Sequence, residues 1–298
     1  MNKTPQMTRE QRNKTCKIDL YSIMVTCKYF ETIDDFINLE FSSKRFENNM
    51  ERFRFNPITL TQNTFHFFPS LETLHLYNES DELFKENDQI WKRIHWYLID
   101  YKTYLNKDKD ESDVFKSVCY TKENRKEFGD IIPPQVNFIE ERCYCDCKQL
   151  EELELPNSVV KVSNHTFVNC ISLREIKLPN SIESLGNYTF SHCISLKSVN
   201  IPTSLKEIGK NCFAYCLSLE EVIVPESVTS LDKQCFAACK SLQKIDIPSS
   251  VKEIGDDCFS YCSQLTSISL PFKEDEMKPN WFRGCTLLKE ENIHYKTN

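Results

Sequence analysis

Cysteine is the residue type in this chain with the greatest capacity for chemistry, because a thiolate can bind zinc, form a disulfide or act as a nucleophile. The chain has 15 cysteines, and one set recurs at every twenty-third position: Cys147, Cys170, Cys193, Cys216, Cys239, Cys262 and Cys285. Zinc needs four ligands that converge at about 2.3 Å, whereas stacked repeats would place these thiols in a line about 4.8 Å apart. We therefore interpret them as small buried hydrophobic residues and predict no metal site.

A second cysteine column lies four residues before the first. It contains Cys212, Cys235 and Cys258, and Thr166 and Thr189 occupy the same place in earlier repeats. Threonine matches cysteine in size and not in reactivity, so this column indicates a size requirement. The spacing between stacked repeats also exceeds the Cβ separation of an unstrained disulfide, about 3.5–4.5 Å, so we predict free thiols.

The other residue types that carry catalysis are scattered. None of the six histidines lies in a repeated column with an acid or a nucleophile: His66, His75, His95, His165, His192 and His294. Five glycines in 298 residues cannot supply the glycine-rich loops that bind phosphates. We predict no catalytic residue, no cofactor and no enzymatic activity.

Charge and hydropathy bear on partners and location. The net charge is −7, with 37 basic and 44 acidic residues interspersed, which predicts no nucleic-acid partner. No apolar run approaches eighteen residues, so we predict no membrane insertion. The odd cysteine count and the polar start, Met1 to Lys17, predict a cytoplasmic protein. The alternative is a cell-surface location reached without a signal peptide.

The segment after each cysteine alternates apolar and polar residues, which predicts a β-strand. A leucine lies three residues after the cysteine, and the apolar pair that follows ends at a proline, as in Ile176, Leu178 and Pro179. Proline cannot continue a central strand, so the chain turns there. A second apolar pair predicts a returning strand, and the glycines beyond it predict corners with positive φ: Gly186, Gly209 and Gly255. One phenylalanine per repeat is expected to fill the interior: Phe167, Phe190, Phe213, Phe236 and Phe259.

The repeated pattern C-x-x-L-x-x-I-x-I-P-x-S-V-x-x-I-G-x-x-C-F resembles the BspA-like, treponemal class of leucine-rich repeat. The resemblance implies an α/β-type leucine-rich repeat solenoid, mostly of parallel strands, that coils as a right-handed superhelix with a concave sheet. Physical reasoning agrees, because a single repeat can bury its apolar side only against a similar neighbour.

The repeat pattern divides the chain into three regions, according to how regularly the repeats follow one another. The regular repeats occupy residues 124–298, and the terminal repeat is expected to be capped by the charged segment from Pro271 to Trp281. Weaker repeats are expected in residues 51–123, interrupted by a charged and aromatic insertion at 77–123 for which the pattern predicts no structure. Residues 1–50 are predicted to form a small helical N-terminal cap.

Two helices are predicted in that cap. Leu20, Ile23, Met24 and Cys27 have helical spacing, and Thr32 to Asp35 form a capping box before a second helix that ends near Phe46. The segment resembles an F-box, although Asp19-Leu20 replaces the Leu-Pro at its start. This resemblance implies that residues 18–46 bind a Skp1-like adaptor. The alternative is a helical cap that only covers the first repeat.

Since side chains alternate along a strand, the polar positions of each predicted strand must point outward. They form two columns on the predicted concave face: Glu152, Glu175, Ser198, Glu221, Lys244 and Ser267; and Glu154, Lys177, Asn200, Ile223, Asp246 and Ser269. Ile223 is the one aliphatic residue among them, either an ordinary exposed residue or an anchor for a partner. Tyr215, Tyr261 and His192 lie just before the column cysteines, either exposed or tucked over the rim.

The function predicted from these features is a non-enzymatic scaffold that binds another protein through the concave face. The resemblance to BspA-like proteins implies adhesion or scaffolding. The alternative is a leucine-rich repeat substrate receptor of a ubiquitin ligase, with the F-box-like segment as its adaptor site.

Overall fold

The computed structural model of the chain describes residue 23 and residues 25–296. These residues form two compact units: residues up to Tyr97 together with Asp108–Lys116, called the N-terminal unit, and Leu98–Lys107 together with the residues from Ser117 onward, called the repeat unit. The described helices are α1 Ile33–Ser42, α2 Tyr101–Asn106 and α3 Lys122–Phe128. The strands are β1 Thr73–Leu76, β2 Lys92–His95, β3 Ile99–Asp100, β4 Asp113–Phe115, β5 Val118–Tyr120, β6 Phe138–Ile139, β7 Glu152–Glu154, β8 Lys161–Val162, β9 Glu175–Lys177, β10 Ser184–Leu185, β11 Ser198–Asn200, β12 Glu207–Ile208, β13 Glu221–Ile223, β14 Ser230–Leu231, β15 Lys244–Asp246, β16 Glu253–Ile254, β17 Ser267–Leu270 and β18 Ile293–Tyr295.

The predicted second helix is α1, and it begins where the capping box predicted. The Asp35 carboxylate accepts hydrogen bonds from the Thr32 backbone N–H at 2.9 Å and from the Thr32 hydroxyl at 2.9 Å, and the backbone bond to Thr32 is the main reason that the pKa of Asp35 is lowered. Phe36 is buried against Phe53 and Phe68 in the core of the N-terminal unit. The helical segment therefore shares its core with the residues that follow it. Leu20 and Met24 of the predicted first helix lie outside the described residues.

The N-terminal unit contains a three-stranded parallel sheet in the order β1-β2-β4. Leu74 pairs with Arg93, and Arg93 pairs with Asp113. Fewer residues therefore separate paired positions along the chain than in the regular repeats. The predicted insertion at 77–123 is thus built of strands and helices, and β2 and β4 within it extend the sheet of β1. The sequence pattern did not reveal these strands, because their spacing departs from the single period of the repeats.

Three charged or polar side chains replace aliphatic residues inside this sheet. His95 Nε2 lies 2.7 Å from Asp113 Oδ1, and each of these side chains is only 4% exposed. His95 Nδ1 lies 2.9 Å from the Tyr97 hydroxyl, and the imidazole stacks on Phe115 with 4.0 Å between ring centroids. Arg93 donates to the Leu83 carbonyl and to the Asp110 carboxylate. Burial of these groups is tolerated because each has a partner.

The repeat unit consists of coils that each contribute a long strand and a short strand. The long strands β7, β9, β11, β13 and β15 share one burial pattern, in which the central residue is buried and both neighbours are exposed. The short strands pair in parallel in the orders β10-β8-β6-β5-β3 and β12-β14-β16. Among the short strands from β6 onward, paired residues lie one full repeat apart, as in Ile139↔Val162 and Leu231↔Ile254, which confirms the predicted stacking.

A column of stacked aromatic rings fills the interior of the coils, as the sequence predicts. All five predicted phenylalanines are fully buried. Neighbouring rings are nearly parallel, with centroids 5.3 Å apart for Phe167–Phe190 and Phe190–Phe213, 5.4 Å for Phe213–Phe236 and 5.8 Å for Phe236–Phe259. Tyr144 and Phe282 extend the column at its two ends.

Six of the seven column cysteines, those from Cys170 to Cys285, each donate one hydrogen bond, which the sequence did not predict, to a carbonyl of the ring column. The Cys216 thiol donates to the Phe190 carbonyl at 3.2 Å, and Cys239 donates to Phe213 at the same distance. Cys170, Cys193, Cys262 and Cys285 repeat this bond one coil after another. Cysteine thus serves both as a small apolar residue and as a weak donor that ties each coil to the preceding one.

The glycines occur for a different reason from the one predicted. Gly186, Gly209 and Gly255 do not have positive φ; instead, a Cβ atom on Gly255 would lie 2.4 Å from the Lys233 backbone nitrogen of the preceding coil. Left-handed backbone occurs at residues five and one before the column cysteines, for example Asn211 with φ 54° and Tyr215 with φ 61°. Close approach of two coils, and not a corner, therefore explains the glycines, most strictly Gly186 and Gly255, whose Cβ atoms would lie 2.4 Å from backbone of the preceding coil.

This contact predicts the effect of adding one methyl group. Gly255→Ala is expected to lower the free energy of unfolding by about 1–3 kcal/mol, because the new Cβ meets backbone that cannot move aside. Gly209→Ala is the matched control: its Cβ would first meet the Asn187 side-chain oxygen at 2.8 Å, and the nearest backbone atom lies 3.4 Å away. Urea denaturation should show the smaller loss for Gly209→Ala, and equal losses would contradict this explanation.

The repeat unit ends with a strand that the sequence did not predict. β18 pairs with β17, with Ile293 opposite Ile268. Lys296, which follows β18, forms an ion pair with Asp246 at 2.6 Å. The predicted charged cap from Pro271 to Trp281 holds Trp281 buried, with its indole N–H donating to the Ile254 carbonyl. The step from Ile268 to Ile293 is two positions longer than a regular repeat, which explains why the repeat pattern did not include β18.

Candidate functional site: the strand face

The outward side of the long strands is the surface that the sequence predicted to bind a partner, and we call it the strand face. Register places its residues side by side, since Glu152 pairs with Glu175, Ser198 with Glu221 and Lys244 with Ser267. Two of the predicted residues, Ser267 and Ser269 at the carboxyl-terminal end, are half-buried, and the other ten are exposed. The exposed residues are Glu152, Glu154, Glu175, Lys177, Ser198, Asn200, Glu221, Ile223, Lys244 and Asp246. The predicted columns therefore exist as a surface, and their role in binding stays a prediction.

The charges on the strand face are uneven. Its amino-terminal end carries Glu152, Glu154 and Glu175, and Lys177 lies 3.6 Å from the Glu154 carboxylate. Farther along, Lys244 and Asp246 belong to the same strand, and Asp246 is paired with Lys296. Because these pairs are exposed to solvent, each contributes little to stability, about 0–1 kcal/mol.

A shallow depression of about 840 Å³ lies at the carboxyl-terminal half of the strand face. Glu221, Ile223, Lys244, Asp246 and Ser269 are among the residues that line it. Ile223 is 61% exposed, whereas Val222 beside it in the strand is buried. An exposed aliphatic side chain within a ring of polar residues is the arrangement that interface hot spots often have.

The sequence that forms the coils and the strand face matches one known family. The sequence profile described as "BspA type Leucine rich repeat region" matches residues 115–242 and 206–298, with six copies of the repeat. The chain belongs to the BspA-type leucine-rich repeat family. This result confirms the family and the fold class that the repeat pattern predicted.

Several solved structures are similar to this BspA-type chain. A leucine-rich repeat protein of T. pallidum is 32% identical over 49% of this chain and 69% of its own, with a TM-score of 0.45. One from Bacteroides ovatus is 25% identical over 74% of this chain, with a TM-score of 0.48, and the match spans about half of that protein (54%). A leucine rich cell surface protein from Faecalibacterium prausnitzii is 19% identical over 82% of this chain and 78% of its own, with a TM-score of 0.40. No curated protein matches the chain.

Aromatic residues line one edge of the BspA-type coils. The sequence left open whether these side chains are exposed or tucked over the rim. Tyr215 and Tyr261 are exposed, and the imidazole of His192 stacks on Tyr215 with 4.5 Å between centroids. A further pair, His165 and Tyr188, stacks at 4.9 Å. Tyr215, Tyr261 and His192 are thus exposed on the edge, whereas His165 and Tyr188 are half-buried.

Metal sites and membrane-spanning helices are absent from the described part of the chain. Among residue 23 and residues 25–296, no group of three or more His, Cys, Asp or Glu side chains could hold a metal ion, and no helix is long and apolar enough to cross a membrane. The structure does bring His95 and Asp113 together, a pair that the sequence could not reveal because the pattern assigned no strand to either. Since both side chains are buried and hydrogen-bonded inside the sheet, we interpret the pair as structural.

Proposed function

We propose that this BspA-type protein is a non-enzymatic scaffold that binds another protein through the strand face. The observation that carries the proposal is the sustained exposure of polar residues, with Ile223 among them, along five consecutive long strands. A rigid row of coils can present such a surface without rearranging, which reduces the entropy lost on binding. The open depression around Ile223 suits a protruding side chain of a partner better than an enclosed small molecule.

This proposal predicts the effect of a charge at the centre of the depression. Ile223→Asp is expected to lower affinity for the partner at least tenfold, since it replaces an apolar anchor by a carboxylate beside Glu221. The measurement is photo-crosslinking from position 221 in extracts of the source cells, followed by titration of the crosslinked partner with both variants.

The matched control carries a charge change on the other sheet. Glu207→Lys lies on an exposed position of a short strand and should leave partner binding unchanged. If the partner binds Ile223→Asp as tightly as the original protein, or binds Glu207→Lys equally poorly, the strand face is not the binding surface.

A second candidate function is a substrate receptor of a ubiquitin ligase, supported by one feature of the N-terminal unit. Phe41 of α1 is 86% exposed, and it borders an apolar groove of about 570 Å³ that Ile37, Met50 and Phe67 also line. Of the F-box-like segment, residues 18–22 and residue 24 lie outside the described part. Phe41→Ala should abolish pull-down of a Skp1-like adaptor if this function holds, and an adaptor that never binds the original chain excludes it.

For location, we place the scaffold in the cytoplasm, with adhesion at the cell surface as the alternative. Support comes from the cysteines: the fourteen described ones are free, and most are buried in the coils, where oxidation would disrupt packing. Labelling of intact and lysed cells with a membrane-impermeant amine reagent distinguishes the cytoplasmic from the cell-surface location. Label on the protein in intact cells would establish the surface location.

A further inference from the structure

The outward side of the N-terminal sheet differs in character from the strand face. Alternation along β1, β2 and β4 directs Leu74 and His95 inward, whereas His75 pairs with Ile94 and Ile94 with Val114 on the outward side. The residue after β2 is Trp96, which is 45% exposed. Aromatic and aliphatic residues therefore occupy positions that hold charged or small polar residues in the repeat unit, apart from Ile223.

Four of these outward residues form a connected cluster, which we call the aromatic platform: Phe55, His75, Tyr77 and Trp96. The Phe55 ring stacks on His75 with 4.9 Å between centroids, and Trp96 meets His75 edge-on at 5.7 Å. The Tyr77 hydroxyl donates to the Asn56 carbonyl at 3.0 Å. These contacts hold the rings in one arrangement.

The backbone behind the platform is also held in place. Asn56 is fully buried, and its side chain accepts from the His75 backbone N–H at 2.6 Å and donates to the His75 carbonyl at 2.7 Å. Burial lowers the pKa of His75, so the imidazole is neutral at pH 7 and the platform carries no charge of its own. A preorganised apolar surface loses little entropy when it binds.

The fold does not require aromatic residues at these positions. The long strands of the repeat unit stack with Glu, Lys, Ser and Asn on their outward side. Contiguous exposed apolar groups on a soluble protein mark interaction surfaces, and Trp and Tyr are enriched among the residues that dominate binding energy. Of the four platform residues, Trp96 is exposed and Phe55, His75 and Tyr77 are half-buried, so Trp96 is the ring best placed to meet a partner.

The charges around the platform indicate the kind of partner. Lys92 lies on the outward side of β2, two residues before Ile94. Within the described strands β1, β2 and β4, no outward position holds a carboxylate. The Asp81 carboxylate near Tyr77 already accepts from the backbone N–H groups of Tyr77 and Asn78. An acidic group on a partner would thus meet Lys92 and no carboxylate on the outward side of these strands.

We propose that the aromatic platform binds an acidic segment of another protein that carries one aromatic or long aliphatic anchor. The anchor packs against Trp96 and Ile94, and an acidic residue beside it pairs with Lys92. Single-stranded nucleic acid is a poorer fit, because it binds by stacking bases on open ring faces, and Phe55 and His75 cover each other's ring faces. The proposal concerns the N-terminal unit and does not depend on the strand face.

The test uses the full chain and an array of short labelled peptides. One set combines a Trp, Phe or Leu anchor with several Asp or Glu; the second replaces the acids by Lys; the third replaces the anchor by Ala; and labelled oligo(dT) is the fourth probe. We expect binding of the first set only. Lys92→Glu and Trp96→Ala should each weaken it by about tenfold or more.

Trp91→Ala is the matched control, because Trp91 is more exposed than Trp96, at 63%, and lies outside the platform. It should change affinity less than twofold, and circular dichroism should show that all variants fold. Four results would each overturn the proposal. They are equal losses of affinity for the two tryptophan variants, binding of basic or anchor-free peptides, binding of oligo(dT) alone, and no binding of any probe. Ile223→Asp should have no effect here, so this test and that of the strand face succeed or fail separately.

Discussion

Raising the pH above 9 is expected to unfold the repeat unit through its buried cysteines. Burial raises the pKa of Cys119 and of Cys212 from about 9 to about 12, because the coil interior cannot solvate a thiolate. Burial also raises the pKa of Cys216 and Cys239. Below pH 9 the thiols are protonated in both the folded and the unfolded chain, so their contribution to stability is complete there.

The sign of the effect follows from which state releases protons first. As the pH rises above 9, thiols of the unfolded chain ionise while the buried thiols stay protonated, so the unfolded state is favoured. Each thiol lowers the free energy of unfolding by about 1.4 kcal/mol per pH unit, which amounts to about 4 kcal/mol at pH 12 for a thiol with a pKa of about 12. Urea denaturation at intervals between pH 8 and pH 10.5 should show this steep fall.

The chain itself offers the control substitution. Threonine occupies the second column at Thr166 and Thr189, where each hydroxyl donates to the carbonyl three residues earlier. Cys212→Thr combined with Cys235→Thr should therefore fold normally and make the alkaline loss shallower by about 2–3 kcal/mol per pH unit. An unchanged slope would show that these thiols are not the groups that titrate.

Removal of one ring from the aromatic column is the substitution with the largest expected effect on stability. Phe213→Ala should lower the free energy of unfolding by about 3–5 kcal/mol, because a fully buried ring that stacks on both neighbours is replaced by a cavity. Phe213→Leu keeps most of the volume and should cost less. Urea denaturation followed by circular dichroism measures both.

Ile223→Ala is the appropriate comparison, since it also removes an apolar side chain from the repeat unit but at an exposed position. Its effect should stay within about 0.5 kcal/mol. A loss for Phe213→Ala as small as that for Ile223→Ala would mean that the rings do not form a continuous core.

The regular coils could be predicted from sequence because each residue in them recurs under the same constraint. Cys, Leu, an alternating aliphatic pair and Phe repeat with one period, and the structure confirms the buried positions from Phe167 to Phe259. The predicted role of the glycines was wrong, because sequence shows that a side chain is missing and not which atom excludes it. Several residues with left-handed backbone are Asn, Asp or His, residue types that tolerate positive φ, so the sequence does indicate some of these positions.

The outward columns could be placed from sequence for the same reason, since alternation alone decides which side of a strand faces solvent. The aromatic platform could not, because β2 and β4 follow shorter and unequal spacings and β2 holds Arg93 and His95 at inward positions. A pattern search treats a buried arginine or histidine as evidence against a strand. Only their partners, Asp110 and Asp113, make those positions acceptable.

The ring column has an evolutionary consequence. Each ring meets the next in nearly the same orientation, and each thiol bonds to the coil before it, so every junction between coils is chemically alike. Duplication or deletion of one whole repeat within the column would recreate a junction that already exists. The number of coils, and with it the breadth of the surface offered to a partner, can therefore change over generations without a new core having to be invented.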